Sequence, residues 1–220
     1  MYFGATVFFN ELFVFRLPEF TAMYADLDIK IDTSDESADK HPAHADVSIR
    51  LFKTAPANLE SIRLFPLRLV PAGSPEFRRN LKVKARKIVS PFQLIVHESL
   101  PKAWKEWAQS SCVELPDNTS SVRLESMSAI AKAAERGLGA ALIPVRLAGS
   151  WFDSGKLEPL FKNELTKHDA YHIVCRADTG NQNNVRCWLG LPYTHNFGWT
   201  SYPPSARVVA WMYRTRSSGP

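Results

Sequence analysis

Three serines stand where the sequence predicts helices to begin: Ser74 before Pro75, Ser99 before Pro101, and Ser126. A helix N-terminus carries unpaired backbone N–H groups and about half a positive charge, so it attracts carboxylates and phosphates. Serine is also a common helix cap, and for any one of these residues capping is the simpler interpretation. A site for a small anion is favoured only if the three helix starts converge.

Two further side chains suit the same chemistry. Arg50 ends a predicted strand over 46–50 and could clamp an anion with two hydrogen bonds, although a single arginine is more often structural or solvated. His97 ends another predicted strand, over 92–97, and could donate to the same anion. The predicted ligand-binding set also includes Met127, next to Ser126, and Pro144. The full set is Arg50, Ser74, His97, Ser126, Met127 and Pro144.

Other kinds of chemistry find little support. The sequence has no nucleophile elbow, P-loop or strand-linked GxGxxG, and no serine, histidine and aspartate that the spacing brings together. His41 and His44, with Asp39 and Asp46, could suggest a metal site, but a polar loop containing a proline and no third fixed ligand favours a solvated segment. We therefore expect no enzyme activity, no cofactor and no metal.

The stretch from Ser126 to Pro144 predicts a helix, a glycine stop and a short strand. Its apolar face falls at helical spacing, on Met127, Ile130, Ala131, Ala134 and Leu138. Gly137 suits the left-handed position that ends many helices, and 138–143 then predict a strand buried on both faces. A helix that leads into such a strand places Ser126 at the edge of the sheet where open α/β folds bind ligands.

The remaining chain alternates between the two kinds of element. Trp104 and Trp107, three residues apart, predict packing rather than a stacking platform. The whole pattern predicts an α/β fold with mainly parallel sheets. Further helices are predicted over 8–25, 101–109, 145–153 and 181–189, and further strands over 27–31, 62–71, 122–125 and 170–176, with a polar loop over 32–45.

Composition describes an ordinary globular protein, with 45% hydrophobic and 22% charged residues among 220. The net charge is +5, but the last thirty residues hold three arginines and no acidic residue, so the rest carries only +2. This distribution is poor evidence for a nucleic-acid surface. The three cysteines show no paired spacing, and the apolar N-terminus lacks a basic leader and is too short to cross a bilayer. These features predict reduced thiols and a cytoplasmic protein.

A series of segments resembles the effector-binding domain of LysR-type transcriptional regulators, and most of all the branch that includes the glycine-cleavage activator. The likeness runs from about Phe9 to Leu189, in order and with the spacing typical of the family. Each segment alone is weak, but the combined series is specific. The segments are RLPEF, LDIKI, DVSIR, RLVPAGSPEF, LIVHES with WKEWAQ, AIAKAAERGLGAALIP, SGKLEPLF and YHIVCR.

The resemblance implies two Rossmann-like lobes of the type 2 periplasmic-binding-protein kind, joined by crossover strands, with a small effector in the cleft between them. It implies a first crossing near Leu69–Gly73 and a return near Ala141–Val145. Lobe one is then 1–70 plus 145–190, with an incomplete first strand, lobe two is 71–144, and 191–220 form an irregular basic tail. It also implies a homodimer formed through the effector domains.

The chain departs from the family pattern at its start. No winged helix-turn-helix or linker helix precedes the effector domain, so we expect no specific DNA binding by this chain alone and interpret it as a truncated regulator. Its predicted function is to sense a small anionic metabolite. The alternatives are a degenerate fragment without function, an exported solute-binding protein and a small α/β enzyme.

Overall fold

The structure, a computed structural model, describes residues 8–23, 25, 30–31, 45, 47–117 and 119–176. Several predicted segments lie wholly or largely outside these residues: the strand over 27–31, the loop over 32–45 with His41 and His44, the helix over 181–189 and the tail over 191–220. Within the described part, no helix has both the length and the apolar character that a membrane span requires.

Helices and strands alternate along the described chain. Helical turns at Phe9–Phe13, Val14–Arg16 and Val145–Leu147 accompany the longer elements. The helices are α1 (Leu17–Met23), α2 (Pro75–Asn80), α3 (Ala103–Ser111), α4 (Met127–Glu135) and α5 (Gly149–Asp153). The strands are β1 (Ser48–Phe52), β2 (Leu59–Gly73), β3 (Val83–Lys84), β4 (Lys87–Ile88), β5 (Leu94–His97), β6 (Ser121–Leu124), β7 (Ala140–Pro144), β8 (Glu158–Pro159) and β9 (Leu165–Arg176).

Contacts divide the chain into two compact units, named here for their place in the sequence. The central unit contains Leu67–Lys167, and the terminal unit contains Phe8–Pro66 and the chain from His168. Strands β2 and β9 belong to both units. Seven strands form one hydrogen-bonded order, β1-β9-β2-β7-β5-β6 with β8 on β2.

The predicted lobe boundaries, with a return of the chain near Ala141–Val145, stay predictions. In the division by contacts, the chain leaves the central unit at Lys167–His168, inside β9. The segment between Val145 and Lys167 packs within the central unit. Its short strand β8 pairs with the end of β2, and the ring of Phe161 lies 4.8 Å from that of Trp107.

The terminal unit is built on antiparallel pairing. Strand β1 pairs with β9 from Ser48 opposite Val174 to Phe52 opposite Ala170. The buried aromatic rings of Phe8, Phe65 and Tyr171 lie 5.1–6.1 Å apart, which packs the helical segment against the strands. The helix that we predicted over 8–25 is present as three consecutive helical pieces from Phe9 to Met23.

The central unit holds the strands β8-β2-β7-β5-β6. Strand β5 is parallel to both β6 and β7, whereas β2 is antiparallel to β7 and β8. The expectation of mainly parallel sheets is therefore correct only for β7, β5 and β6. Trp104 and Trp107 of α3 are buried with their rings 5.7 Å apart, as predicted for packing residues.

The predicted helix, glycine stop and strand are confirmed around α4 and β7. The helix buries Met127, Ile130, Ala131 and Ala134, Gly137 has a φ of 79°, and all five residues of β7 are buried. The exception is Leu138, which is 40% exposed. Helix α4 has already ended at Glu135, so Leu138 no longer follows the apolar face of the helix.

Candidate functional site

Three strands of the central unit end at the same edge of its sheet. In the parallel pair of β5 and β6, His97 lies opposite Leu124, and the N–H of Glu98 donates to the Leu124 carbonyl at 2.9 Å. Strand β7 runs parallel to β5, so Pro144 ends at that edge too. We call this edge, with His97, Ser126, Met127 and Pro144, the carboxyl edge. Four of the six predicted residues therefore lie together.

Ser126 precedes α4 at the carboxyl edge. Its backbone is extended, with φ −99° and ψ 127°, and its carbonyl accepts the N–H of Ile130 at 2.9 Å. The side chain is exposed and makes no capping hydrogen bond to the first turn. The first N–H groups of α4 are therefore not satisfied by this hydroxyl, although it stands at the capping position.

Met127 and Pro144 contribute apolar surface rather than polar groups. The Met127 side chain is only 3% exposed and packs in the buried face of α4. Pro144 is buried at the end of β7, where it lies opposite Leu69 of β2. The polar groups of the carboxyl edge are thus supported by a packed apolar layer.

His97 is a neutral histidine. Its ring is buried, and Nδ1 accepts the N–H of Ser99 at 3.2 Å and lies 2.8 Å from the Ser99 hydroxyl oxygen. Because Nδ1 accepts a backbone N–H, the single proton of the neutral ring is on Nε2. Burial lowers the pKa of His97 to about 4, so the ring carries no charge near neutral pH.

The helix start predicted at Ser99 is wrong. Helix α3 begins at Ala103, and its capping position is Lys102. Ser99 instead occupies a turn in which the N–H of Leu100 donates to the His97 carbonyl at 2.9 Å. Its hydroxyl forms a hydrogen bond with the imidazole of His97 and therefore does not cap a helix.

Ser74 caps α2 as predicted, but not at the carboxyl edge. Its Oγ accepts the N–H of Phe77 at 3.1 Å. Since β2 is antiparallel to β7, with Ala72 opposite Ala141, the end of β2 lies beside the start of β7. A β-carbon placed on Gly137, beyond the far end of α4, would be 3.7 Å from this Oγ. The expectation that Ser74 converges with Ser126 is therefore wrong.

Arg50 belongs to the terminal unit. It lies within β1, which continues to Phe52, and only 2% of it is exposed. Its partner across the strands is His172 of β9, whose ring lies 6.0 Å from that of Phe52. Burial lowers the pKa of His172, and the charge of Arg63 lowers it further. A role for Arg50 in ligand binding stays a prediction.

Two features escaped the sequence analysis. The contact of Ser99 with His97 depends on a turn that no periodic pattern reveals. The run RRNLKVKARK over 78–87 carries a signal, six basic residues in ten without an acidic one, which the summed charge of +2 over residues 1–190 conceals.

Within the described part of the chain, no group of three or more histidine, cysteine, aspartate or glutamate side chains is arranged to hold a metal ion. Cys112 is exposed and Cys175 is buried, and both are free thiols, as expected for these two. Burial raises the pKa of the Cys175 thiol to about 11, with a smaller contribution from the Glu60 carboxylate. Cys187 lies outside the described residues.

These features define a class of protein: a mixed α/β domain of the periplasmic-binding-protein-like type. The chain belongs to the LysR substrate binding domain family, whose model matches residues 3–191. It is therefore a domain of a regulator family rather than an enzyme.

Known proteins agree with this membership. The chain is 28% identical over 181 residues to the glycine cleavage system transcriptional activator of Escherichia coli K12, a match that covers 79% of this chain and 58% of that protein. The chain thus spans little more than half the length of the curated relative. The same figures hold for the activator of Escherichia coli O157:H7.

Solved structures share the fold. The AmpR effector binding domain from Citrobacter freundii superposes with a TM-score of 0.69 at 19% identity, covering 84% of this chain and 92% of that one. The AmpR effector domain of Pseudomonas aeruginosa gives 0.65 at 20% identity, with 83% and 88% covered. At this level of identity the likeness concerns the fold alone.

Proposed function

We propose that this chain is the sensing part of a cytoplasmic LysR-type transcriptional regulator and that its effector is a small anionic metabolite. The observation that carries the proposal is the start of α4. Its first N–H groups lie at the carboxyl edge, behind a serine whose hydroxyl does not cap them. A carboxylate or phosphate suits such a helix start because it accepts these N–H groups in the positive end of the helix dipole.

The neighbouring residues have separate roles in this proposal. His97 is neutral, so the positive field at the carboxyl edge comes from α4 rather than from the imidazole. The Ser126 hydroxyl adds an adjustable donor, and Met127 and Pro144 supply a rigid apolar support. Such a site discriminates between ligands by the position of their anionic group relative to their apolar part.

Signalling requires two states with different affinity for the effector. We propose that binding at the carboxyl edge favours one conformation of the regulator over another. Arg50, on the terminal unit, remains a predicted contributor with its own test: Arg50→Met keeps the length of the side chain and removes the charge. If Arg50 contacts the effector, this variant binds it more weakly while melting near the temperature of the wild type.

The test is a binding screen on the 220-residue chain. Amino acids, small carboxylic acids and sugar phosphates are screened by thermal shift, and hits are measured by calorimetry. A true effector raises the melting temperature saturably, because it binds the folded state alone. The Ser126→Asp variant places a negative charge at the start of α4, and we expect the affinity of an anionic effector to fall by about tenfold or more.

Ser121→Asp is the matched control. It adds the same charge at another exposed serine, which lies at the start of β6 on the opposite edge of the sheet. We expect it to bind the effector like the wild type. The proposal is refuted if no anionic compound in the screen binds at millimolar concentration, or if the two aspartate variants bind an effector equally well.

We also propose that the chain forms a homodimer through its effector domain. The support is the family membership together with β6, which ends the strand order of the central unit and pairs only with β5 among the described strands. Sedimentation equilibrium tests the proposal directly. A species of twice the mass is expected at micromolar concentration, whereas a monomer throughout that range would contradict it.

A further inference from the structure

A short hairpin rich in basic residues lies between α2 and β5 in the sequence. Its strands β3 and β4 pair antiparallel, with Val83 opposite Ile88 and Lys84 opposite Lys87. The N–H of Val89 donates to the Lys82 carbonyl at 2.9 Å, which extends the pairing by one position. We call Arg79, Lys82, Lys84, Arg86 and Lys87, on and beside these strands, the basic hairpin.

Most of the charge on the basic hairpin is exposed and uncompensated. Arg79, Lys82, Lys84 and Arg86 are exposed, and none of the four forms an ion pair with an acidic residue in the described part of the chain. Lys87 is half-buried and lies 3.5 Å from Asp117, which is itself largely exposed. In sequence, no acidic residue occurs from 77 to 97. The patch therefore attracts anions from solution.

The hairpin is firmly attached to the central unit. The side chain of Ile88 is buried, the N–H of Ile88 donates to the Glu114 carbonyl at 3.0 Å, and the N–H of Glu114 donates to the Arg86 carbonyl at 2.8 Å. Side chains alternate between the faces of a strand, so Lys84 and Lys87 point to the face opposite Ile88. The charges are thus presented on a fixed support and directed away from the core.

Local stability does not explain this arrangement. Both turn residues, Ala85 and Arg86, have left-handed backbones, with φ of 46° and 67°, where Asn-Gly is the favoured pair. Lys84 and Lys87 also face each other across the strands, and like charges in that position are destabilising. A sequence selected for the stability of the hairpin alone would avoid both features, which indicates that the surface itself has a use.

We propose that the basic hairpin binds the phosphate backbone of duplex DNA without reading its sequence. Phosphate contacts by lysine and arginine position a protein on DNA and need no base-specific geometry. The segment over 78–91 contains no aromatic residue, so it offers neither the stacking surface of a single-strand binder nor the aromatic anchor of a membrane-surface segment. The small net charge of residues 1–190, which by itself is poor evidence for a nucleic-acid surface, does not reveal this local concentration of basic residues.

The test is fluorescence anisotropy with the 220-residue chain and a labelled duplex of roughly 20 base pairs and arbitrary sequence, in about 50 to 200 mM salt. The wild type is expected to bind more weakly as the salt concentration rises. Lys84→Glu combined with Arg86→Glu is expected to lower the affinity by at least about tenfold and to flatten the plot of log affinity against log salt by about 1.8.

The matched control is Lys105→Glu combined with Lys132→Glu, which changes the net charge equally at exposed lysines on α3 and α4. It retains the basic tail and should lose much less affinity. The proposal is overturned if both double variants lose affinity equally, if the wild type binds no duplex at low salt, or if it binds anionic lipid vesicles in preference to DNA. Circular dichroism confirms that each variant is folded, and effector binding by the hairpin variant should match the wild type.

Discussion

Gly139 shows how strongly one residue is constrained in the central unit. A β-carbon at this position would lie 2.4 Å from the Gln93 carbonyl oxygen and 3.0 Å from its carbon. Next to it, the N–H of Ala140 donates to the same oxygen at 2.8 Å. The close approach of β7 to the residue before β5 therefore requires glycine.

Gly139→Ala is accordingly expected to destabilise the protein by about 1–3 kcal/mol, because backbone rather than a flexible side chain must move. Denaturant unfolding followed by circular dichroism measures the loss. Gly149→Ala is the control, since a β-carbon on Gly149 meets nothing within 4 Å and the residue begins α5. Its effect should stay within roughly 0.5 kcal/mol. Equal losses in the two variants would contradict the packing at Gly139.

His97 makes stability depend on pH. Its pKa in the folded protein is about 4, below the ordinary value of 6.5, so between these values the unfolded chain binds a proton that the folded chain does not. Stability from this group is complete above pH 6.5 and is lost as the pH falls towards 4. The loss is on the order of 3 kcal/mol when complete.

His97→Asn keeps an acceptor for the Ser99 N–H and removes the titration. Denaturant midpoints measured between about pH 7 and 4.5 should fall less steeply for this variant than for the wild type. A residual slope is expected from His172, whose pKa burial also lowers. If His97→Asn retained the full slope of the wild type, the neutral buried imidazole would be an incorrect assignment.

At the scale of elements, the two serines that precede helices differ in whether their hydroxyl caps the helix. Ser74→Ala should cost about 1 kcal/mol, because its Oγ accepts the Phe77 N–H. Ser126→Ala should change stability by less than roughly 0.5 kcal/mol, because its hydroxyl makes no capping bond. Thermal and denaturant unfolding of the two alanine variants provide the comparison. A larger loss at Ser126 would show that its hydroxyl is structural and would weaken the effector site.

Local patterns predicted the elements whose causes are local. The apolar spacing from Met127 to Ala134 identified α4, Gly137 identified its end, and Ser74 with Pro75 identified the start of α2. Ser99 followed the same rule and failed, because a nearby imidazole accepts its hydroxyl and the helix starts later. Capping patterns indicate where a helix can begin, while competing tertiary partners decide whether it does.

Strand direction was beyond the reach of the sequence. Ser74 and Ser126 both precede helices, so spacing alone placed them at one edge of the sheet. The antiparallel pairing of β2 with β7 places the two serines at opposite edges, and the sequence of neither strand indicates its direction. Consequently four of the six predicted site residues share the carboxyl edge, Ser74 lies at the opposite edge, and Arg50 belongs to the terminal unit.

For the whole molecule, the family resemblance supplied what periodicity could not. It predicted an α/β effector domain with crossover strands, and the family match over residues 3–191 confirms the fold class. It did not predict β8, a two-residue strand whose pairing with Ala72 and Gly73 leaves no pattern in the sequence. Long-range contacts of this kind determine where a compact unit ends.

The most direct test of the account is an amide NMR titration of the chain with the effector found in the screen. Binding at the carboxyl edge predicts the largest shift changes at the amides of Met127, Ser128 and Glu98, beside the start of α4 and the end of β5. The amides of Ser74 and Gly137, at the opposite edge of the sheet, should change little. The reverse distribution, with the main changes at Ser74 and Gly137, would contradict the assignment of the effector site.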